Sequence, residues 1–262
     1  MALVTTRAVL LRSYPYSESS QVLRFYTESH GAIGAMGRGV RAGTGKTGSS
    51  LDTFADGTLS VHMKPTRDLQ TLKEFVASQP RRALGSDVRR FGGASVLAEL
   101  VLRHALEEPS PPLFHALADG LDRLETASGD AVVPTVLQQG WRLVSTLGYR
   151  PILDACIECG SPLGDELARF DLAAGGLRCT RCSGAHGGPR LGPGARAQLE
   201  ALLEHDEPPP LDRARSHLRL FSDFITHHLG LGRPLPSLQV LVDMVGDPSL
   251  AEPSPTAGGP RA

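Results

Sequence analysis

The sequence predicts an α+β protein of several domains: an N-terminal five-stranded OB-type β-barrel, then an all-α helical domain that carries a zinc-binding insertion with four cysteine ligands. Three observations predict this arrangement. Five short β-rich segments with glycine-containing turns fill residues 6–79, helical patterns fill most of the remainder, and two Cys-x-x-Cys pairs interrupt the helical part. The 262 residues suit one large domain or two to three small ones.

The barrel prediction rests on five strand candidates. In the fourth, Leu59, Val61 and Met63 alternate with polar residues, which is the period-2 pattern of a half-buried strand. Five such strands joined by short turns favour a Greek-key barrel of the OB type over residues 1–79. The candidates are residues 6–14, 21–28, 32–40, 59–63 and 69–77.

Helical patterns begin after Pro80. Apolar residues at helical spacing predict a three-helix bundle over residues 80–148, with Pro111-Pro112 opening its second helix and Pro134 near the start of its third. Residues 191–240 return to helix and are expected to complete this domain, with Pro234 and Pro236 ending the last helix. The remainder, residues 241–262, is rich in Pro, Gly, Ser and Ala and is expected to be a disordered tail.

Charge is distributed unevenly along the chain, although the net charge is only −1. Residues 1–80 contain nine Lys and Arg against six Asp and Glu, net +3, whereas residues 191–262 contain six against nine, net −3. The two ends are therefore expected to meet different partners. No apolar run is long enough to cross a membrane and the N-terminus lacks the layout of a signal peptide, so we expect a cytoplasmic protein with reduced thiols.

The four cysteines are the strongest motif. Cys156, Cys159, Cys179 and Cys182 are the only cysteines, and their C-x₂-C-x₁₉-C-x₂-C spacing is typical of a zinc site. Four thiolates close the coordination shell of Zn²⁺, whereas a catalytic zinc keeps a position open for water. We therefore predict one structural zinc ion, held by residues 149–190, a segment too glycine-rich to build a core of its own.

A cationic, glycine-rich loop follows the third strand. Arg38, Arg41 and Lys46 lie in a stretch without an acidic residue between Glu28 and Asp52. Its Gly39-to-Thr47 sequence misses the phosphate-binding pattern G-x₄-G-K-[ST] by one residue and is not followed by a convincing helix, which argues against a nucleotide site. Two interpretations remain: the loop follows a phosphate backbone by charge, or it is a solvated barrel loop.

Aromatic residues are interleaved with these charges, and each is a candidate either for stacking on unpaired bases or for the barrel core. They are Tyr14, Tyr16, Phe25, Tyr26 and Phe54. No serine, histidine and aspartate carry a nucleophile-elbow motif, and the nine histidines form no recognisable ligand set. The sequence therefore predicts no catalytic residues.

Several short motifs, in order, resemble the RecO family of bacterial DNA repair proteins. In the barrel half they are Ala8–Arg12, Tyr16–Ser20, Phe25–Thr27, His30-Gly31 and Gly37–Arg41. In the second half they are Ala98–Leu100, Leu147–Pro151, Cys156–Gly160, Gly175-Gly176 and Cys179–Cys182. The resemblance covers roughly residues 3–230.

This resemblance implies a recombination mediator without bond-making chemistry. RecO-like proteins bind single- and double-stranded DNA, anneal complementary strands, act with RecR, and contact the C-terminal tail of single-stranded-DNA-binding protein, which together help to load RecA. The residues expected to contact phosphates are Arg38 and Arg41, assisted by Lys46. The alternatives are a zinc-ribbon adaptor that binds only protein and a nucleotide-hydrolysing enzyme, and DNA and ATP binding assays separate the three.

Overall fold

Five strands close into a barrel at the N-terminus of a computed structural model, which describes residues 2–38, 51–104, 108–184, 187–230 and 232–246. Around the barrel the order is β1-β2-β3-β5-β4, with β3 and β5 parallel and all other pairs antiparallel. The predicted five-stranded barrel is therefore confirmed. The strands are β1 Ala2–Pro15, β2 Gln21–Thr27, β3 Gly31–Gly37, β4 Asp56–Met63 and β5 Leu69–Gln79.

The barrel buries apolar side chains in two directions. Leu10, Leu23 and Phe25 fill its interior together with residues of the other strands. Val9 and Leu11, which point the other way on β1, belong instead to the core shared with the helices. This assignment follows from the period-2 alternation of a strand, because a strand covered on both faces is apolar at successive positions.

The helical region follows the barrel and is organised around its third helix. Trp141 of that helix packs against Phe221 and Phe224, with ring centroids 4.9 Å apart in both pairs. Gly140 allows this approach, since a Cβ there would lie 2.7 Å from the Phe221 ring. The helices are α1 Val88–His104, α2 Pro111–Thr126, α3 Val132–Thr146, α4 Pro193–Glu204, α5 Ala214–His228 and α6 Pro236–Met244.

Arg81 holds the barrel against the helices. Its side chain is fully buried, and its guanidinium donates to Asp122 Oδ1 at 2.6 Å, to the Phe54 carbonyl at 2.8 Å and to the Ala118 carbonyl at 3.3 Å. Asp56 of β4 lies 3.6 Å from the same guanidinium and also forms two hydrogen bonds with Arg7. Acceptors from both parts of the fold therefore converge on one buried cation.

The cysteine-containing segment has more structure than its composition suggests. Three short strands, β6 Ala168–Asp171, β7 Gly176–Arg178 and β8 Arg190–Leu191, form an antiparallel sheet in the order β7-β6-β8. Phe170 and Leu177 are buried within the helical core. The segment has no separate core, as predicted, but backbone pairing and this shared packing organise it in addition to any metal.

The prediction of a tail beginning at residue 241 is wrong for its first residues. Helix α6 extends to Met244, and Leu241 and Val242 are buried against the rest of the fold. Pro236 begins this helix instead of ending the previous one, because the first helical turn needs no N–H donor at that position. Gly230, with φ 60°, follows the end of α5. Residues 247–262 lie outside the described residues, and within the described ones no helix is long and apolar enough to cross a membrane.

Candidate metal centre and nucleic-acid interface

The four cysteine sulfurs meet at one point of the cysteine-containing segment. All four Sγ atoms lie within 4.8 Å of one another, and those of Cys159 and Cys179 are 3.9 Å apart. A tetrahedral ion with Zn–S distances of about 2.3 Å requires sulfurs roughly 3.8 Å apart. The donor set therefore fits a tetrahedral metal ion, and its all-sulfur chemistry favours a soft or borderline ion such as Zn²⁺.

Each Cys-x-x-Cys pair is held by a tight turn. In the first, the N–H of Gly160 donates to the Cys156 carbonyl at 2.8 Å, and Gly160 adopts φ 69°, which favours glycine. In the second, the N–H groups of Cys182 and Ser183 donate to the Cys179 carbonyl at 3.1 and 2.9 Å. Two similar turns thus present two sulfurs each toward the same point.

Backbone dipoles prepare the first turn for thiolate chemistry. Burial acts to raise the pKa of the Cys156 thiol, but N–H groups of Cys159, Cys179 and Glu158 directed at its sulfur outweigh burial and lower the pKa to about 6. Hydrogen bonding to the neighbouring sulfurs of Cys159 and Cys179 raises the pKa of Cys182 to about 12. The pKa of Cys159 is also lowered, chiefly by its hydrogen bond with the Ser161 hydroxyl, so the first turn favours thiolates, and a cation is needed to hold all four.

Arg178 connects the first cysteine turn to the three-stranded sheet. Its guanidinium donates to Asp171 Oδ2 at 2.7 Å and also pairs with Glu158, which lies between Cys156 and Cys159. Asp171 additionally accepts from two backbone N–H groups of the β6–β7 turn. These contacts lower the pKa of Asp171, with the backbone hydrogen bond from Ala174 as the largest cause and Arg178 the next.

The outer face of the barrel carries one arginine on each of β1 and β2, and a third arginine follows β3. Arg12 of β1 lies directly opposite Arg24 of β2, and Arg24 lies over Gly34 of β3, where a Cβ would come 3.1 Å from its Nη1. Arg38 follows β3 and is exposed. Among the residues that the structure describes, none of these three arginines has a carboxylate within ion-pair distance.

The structure divides the aromatic candidates into two groups. Phe25, Tyr26 and Phe54 are buried and belong to the cores, which excludes them from stacking on a base in this arrangement. Tyr14 and Tyr16 are 43% and 69% exposed, and the Arg12 guanidinium lies 5.4 Å from the centre of the Tyr14 ring. Tyr14 therefore shares the outer face with the arginines, the combination typical of single-strand binding.

The arginine face, which comprises Arg12, Arg24 and Arg38 with Tyr14 beside them, was only partly predicted from the sequence. Arg38 belongs to it, whereas Arg41 and Lys46 lie outside the described residues. Arg12 and Arg24 were not among the predicted contacts, because their adjacency depends on the pairing register of β1 and β2. One pattern in the sequence could have indicated part of this face. Arg12 and Tyr14 lie two residues apart on one strand, which is the spacing of residues that share a face.

Family models match both halves of the chain. Residues 1–81 match the model described as Recombination protein O N terminal, and residues 85–239 match Recombination protein O C terminal. The boundary between the two matches lies beside the buried Arg81. Together they cover the barrel, the first five helices and the start of the sixth.

Curated proteins named DNA repair protein RecO are similar over most of the chain. That of Rubrobacter xylanophilus is 31% identical over 265 residues, covering 99% of each chain. That of Anaeromyxobacter sp. strain K is 31% identical over 237 residues, covering 87% of this chain and 92% of the relative. That of Heliobacterium modesticaldum is 33% identical over 222 residues, covering 82% and 78%. On these matches the chain belongs to the RecO family of DNA repair and recombination proteins.

Proposed function

We propose that this chain is a non-enzymatic, DNA-binding recombination mediator of the cytoplasm, with its DNA contacts on the barrel. The proposed phosphate contacts are still Arg38, Arg41 and Lys46. We add Arg12 and Arg24 to them. The supporting observation is the arginine face, defined as Arg12, Arg24 and Arg38 with Tyr14 beside them. These cations have no carboxylate partner in the described part of the chain and create a positive surface, which attracts a phosphate backbone.

The proposal includes the activities that family membership suggests. The chain binds single- and double-stranded DNA, anneals complementary strands, and acts with RecR and with the C-terminal tail of single-stranded-DNA-binding protein to help load RecA. The barrel, residues 1–79, serves as the DNA-binding unit. A positive face can screen the repulsion between two phosphate backbones, which is the physical requirement for annealing.

We further propose that the cysteine cluster holds one structural zinc ion. Cys156, Cys159, Cys179 and Cys182 would supply all four ligands, so the ion would have no open position for substrate. With four thiolates the bound ion keeps a local charge of −2, which does not attract phosphate. The metal therefore stabilises the segment at residues 149–190 and leaves DNA binding to the barrel.

The experiment that tests DNA binding is a charge reversal on the arginine face. Native chain and the triple variant Arg12→Glu, Arg24→Glu, Arg38→Glu are titrated into a labelled single-stranded oligonucleotide and followed by fluorescence anisotropy. The matched control is Arg219→Glu, the same change at an exposed position on α5. We expect the triple variant to lose at least about tenfold in affinity and the control to bind like the native chain.

The same titration separates the rival function. A zinc-ribbon adaptor that binds only protein would show no DNA binding in the native chain while retaining its partner. If the native chain binds DNA and the triple variant binds equally well, DNA contacts lie elsewhere on the molecule and the arginine face is not the interface.

A further inference from the structure

An apolar groove with a volume of about 580 Å³ lies between the barrel and helices α1 and α6. We name it the junction groove. Phe91 and Val88 of α1 and Val240 of α6 line it and are 46%, 64% and 50% exposed. Large apolar side chains exposed together on one surface mark an interaction site more often than isolated ones do. Arg12, Phe54 and Arg103 also line it.

The floor of the junction groove is held in a strained conformation. Phe54 has φ 73°, in the left-handed region that bulky side chains avoid, and its carbonyl accepts from Arg81, which itself has φ 46°. The Phe54 N–H donates to the Leu10 carbonyl at 2.7 Å. These bonds fix the Phe54 ring beneath Phe91, edge to face, with centroids 5.5 Å apart. Strain of this kind concentrates at functional sites.

The junction groove is continuous with the arginine face. Arg12 belongs to both, since it lines the groove and lies opposite Arg24 in the barrel. A DNA strand that contacts Arg12 on the arginine face is therefore already at the edge of the groove.

Charge at the junction groove also favours a polyanion. The lining contains two arginines, Arg12 and Arg103, and one carboxylate, Glu99. Glu99 is already engaged, because it pairs with Arg103 at 2.7 Å and accepts from Ser237 at 2.6 and 3.1 Å. Among these lining residues the uncompensated positive charge is therefore at Arg12, the end of the groove nearest the arginine face.

We propose that the junction groove receives unpaired bases of single-stranded DNA, with the Phe91 ring as the stacking platform and Arg12 on a neighbouring phosphate. This inference rests on the proposed DNA-binding function and adds a base-binding site to it. An exposed aromatic ring beside a cation is the combination that sequence-independent single-strand binders use. Paired bases cannot stack on the ring, because they remain inside the duplex, so the groove selects single strands.

The test compares Phe91→Ala and Phe91→Leu with the native chain on a single-stranded oligonucleotide and on its duplex. Phe91→Leu keeps an apolar side chain but removes the π-face. The matched control is Tyr149→Ala, an exposed aromatic in the loop after α3. We expect both Phe91 variants to bind the single strand about tenfold more weakly, with duplex affinity unchanged, and the control to resemble the native chain. Melting temperatures confirm that each variant is folded.

The outcomes distinguish the groove from the wider function. Both Phe91 variants could bind single strands like the native chain while the arginine-face triple variant does not. That result would overturn the base-binding role of the groove and leave the DNA-binding function intact. Equal losses on single strand and duplex also overturn the groove, since stacking requires unpaired bases. A native chain that binds no DNA overturns both. If the Phe91 variants lost binding to a protein partner but kept DNA binding, the groove would be a peptide-binding site, and the proposal would be overturned.

Discussion

Replacing Arg81 by methionine tests how the barrel is held against the helices. The substitution keeps an unbranched side chain of similar reach but removes the guanidinium that joins Phe54, Asp56 and Asp122. Because the Arg81 side chain is fully buried, water cannot replace these hydrogen bonds without opening the junction.

The expected loss in the free energy of unfolding follows from what each acceptor of Arg81 loses. Removing one partner of a buried ion pair typically costs about 3–5 kcal/mol. Two features reduce the cost here: Asp56 keeps its bonds from Arg7 at 2.8 and 3.2 Å, and Asp122 is 40% exposed and keeps the bond from Gln79. The Phe54 carbonyl is left without this donor. We therefore expect Arg81→Met to lower the free energy of unfolding by about 2–3 kcal/mol.

The assay is urea unfolding of the full chain, followed by circular dichroism and by the fluorescence of Trp141, the single tryptophan, which lies in the helical core. Arg82→Met is the matched control. The Arg82 side chain is 77% exposed and lies 3.6 Å from Asp52, so its loss should cost under about 0.5 kcal/mol. If Arg81→Met changes the free energy of unfolding as little as Arg82→Met does, the junction does not depend on this cation.

Three further predictions concern the metal, the barrel and pH. Mass spectrometry of the native chain should find one zinc per chain, and Cys179→Ser should lose the zinc and lower the melting temperature; full stability without metal contradicts a structural role. Gly57→Ala should destabilise the barrel by more than about 2 kcal/mol in urea, because its Cβ would lie 2.2 Å from the Val76 carbonyl oxygen, whereas Gly85→Ala meets no atom within 4 Å and should be neutral. Burial lowers the pKa of His217, so the unfolded chain binds more protons as pH falls below about 6.5 and stability should fall with it. In melting scans, His217→Gln should reduce this fall in stability at low pH. An unchanged pH dependence would contradict the role of His217.

Local sequence signals predicted the elements whose stability is local. β-rich composition, turn residues and, in the fourth strand, period-2 alternation predicted all five barrel strands, and the cysteine spacing predicted two turns that each close within a few residues. The cysteine sulfurs come together because two such turns need only one hairpin between them, β6 and β7. Predictions of this kind depend on neighbours along the chain, which a single sequence contains.

Features that depend on tertiary context were not predicted. Helix α6 forms because Leu238, Leu241 and Val242 find apolar partners on distant helices, although its sequence is short and preceded by prolines. Phe54 and Arg81 both have left-handed backbones, and the Arg81 side chain donates to the Phe54 carbonyl 27 residues away. Such contacts join residues far apart in sequence, so composition and periodicity do not record them.

The salt dependence of single-strand binding tests the central claim most directly. For single strands the logarithm of the binding constant falls with the logarithm of salt concentration by about 0.7 for each neutralised phosphate. If Arg12, Arg24 and Arg38 each contact a phosphate, the slope for the triple charge-reversal variant should be shallower than the native slope by about 2. A native slope near zero, or equal slopes for native chain and variant, would contradict phosphate binding by the arginine face.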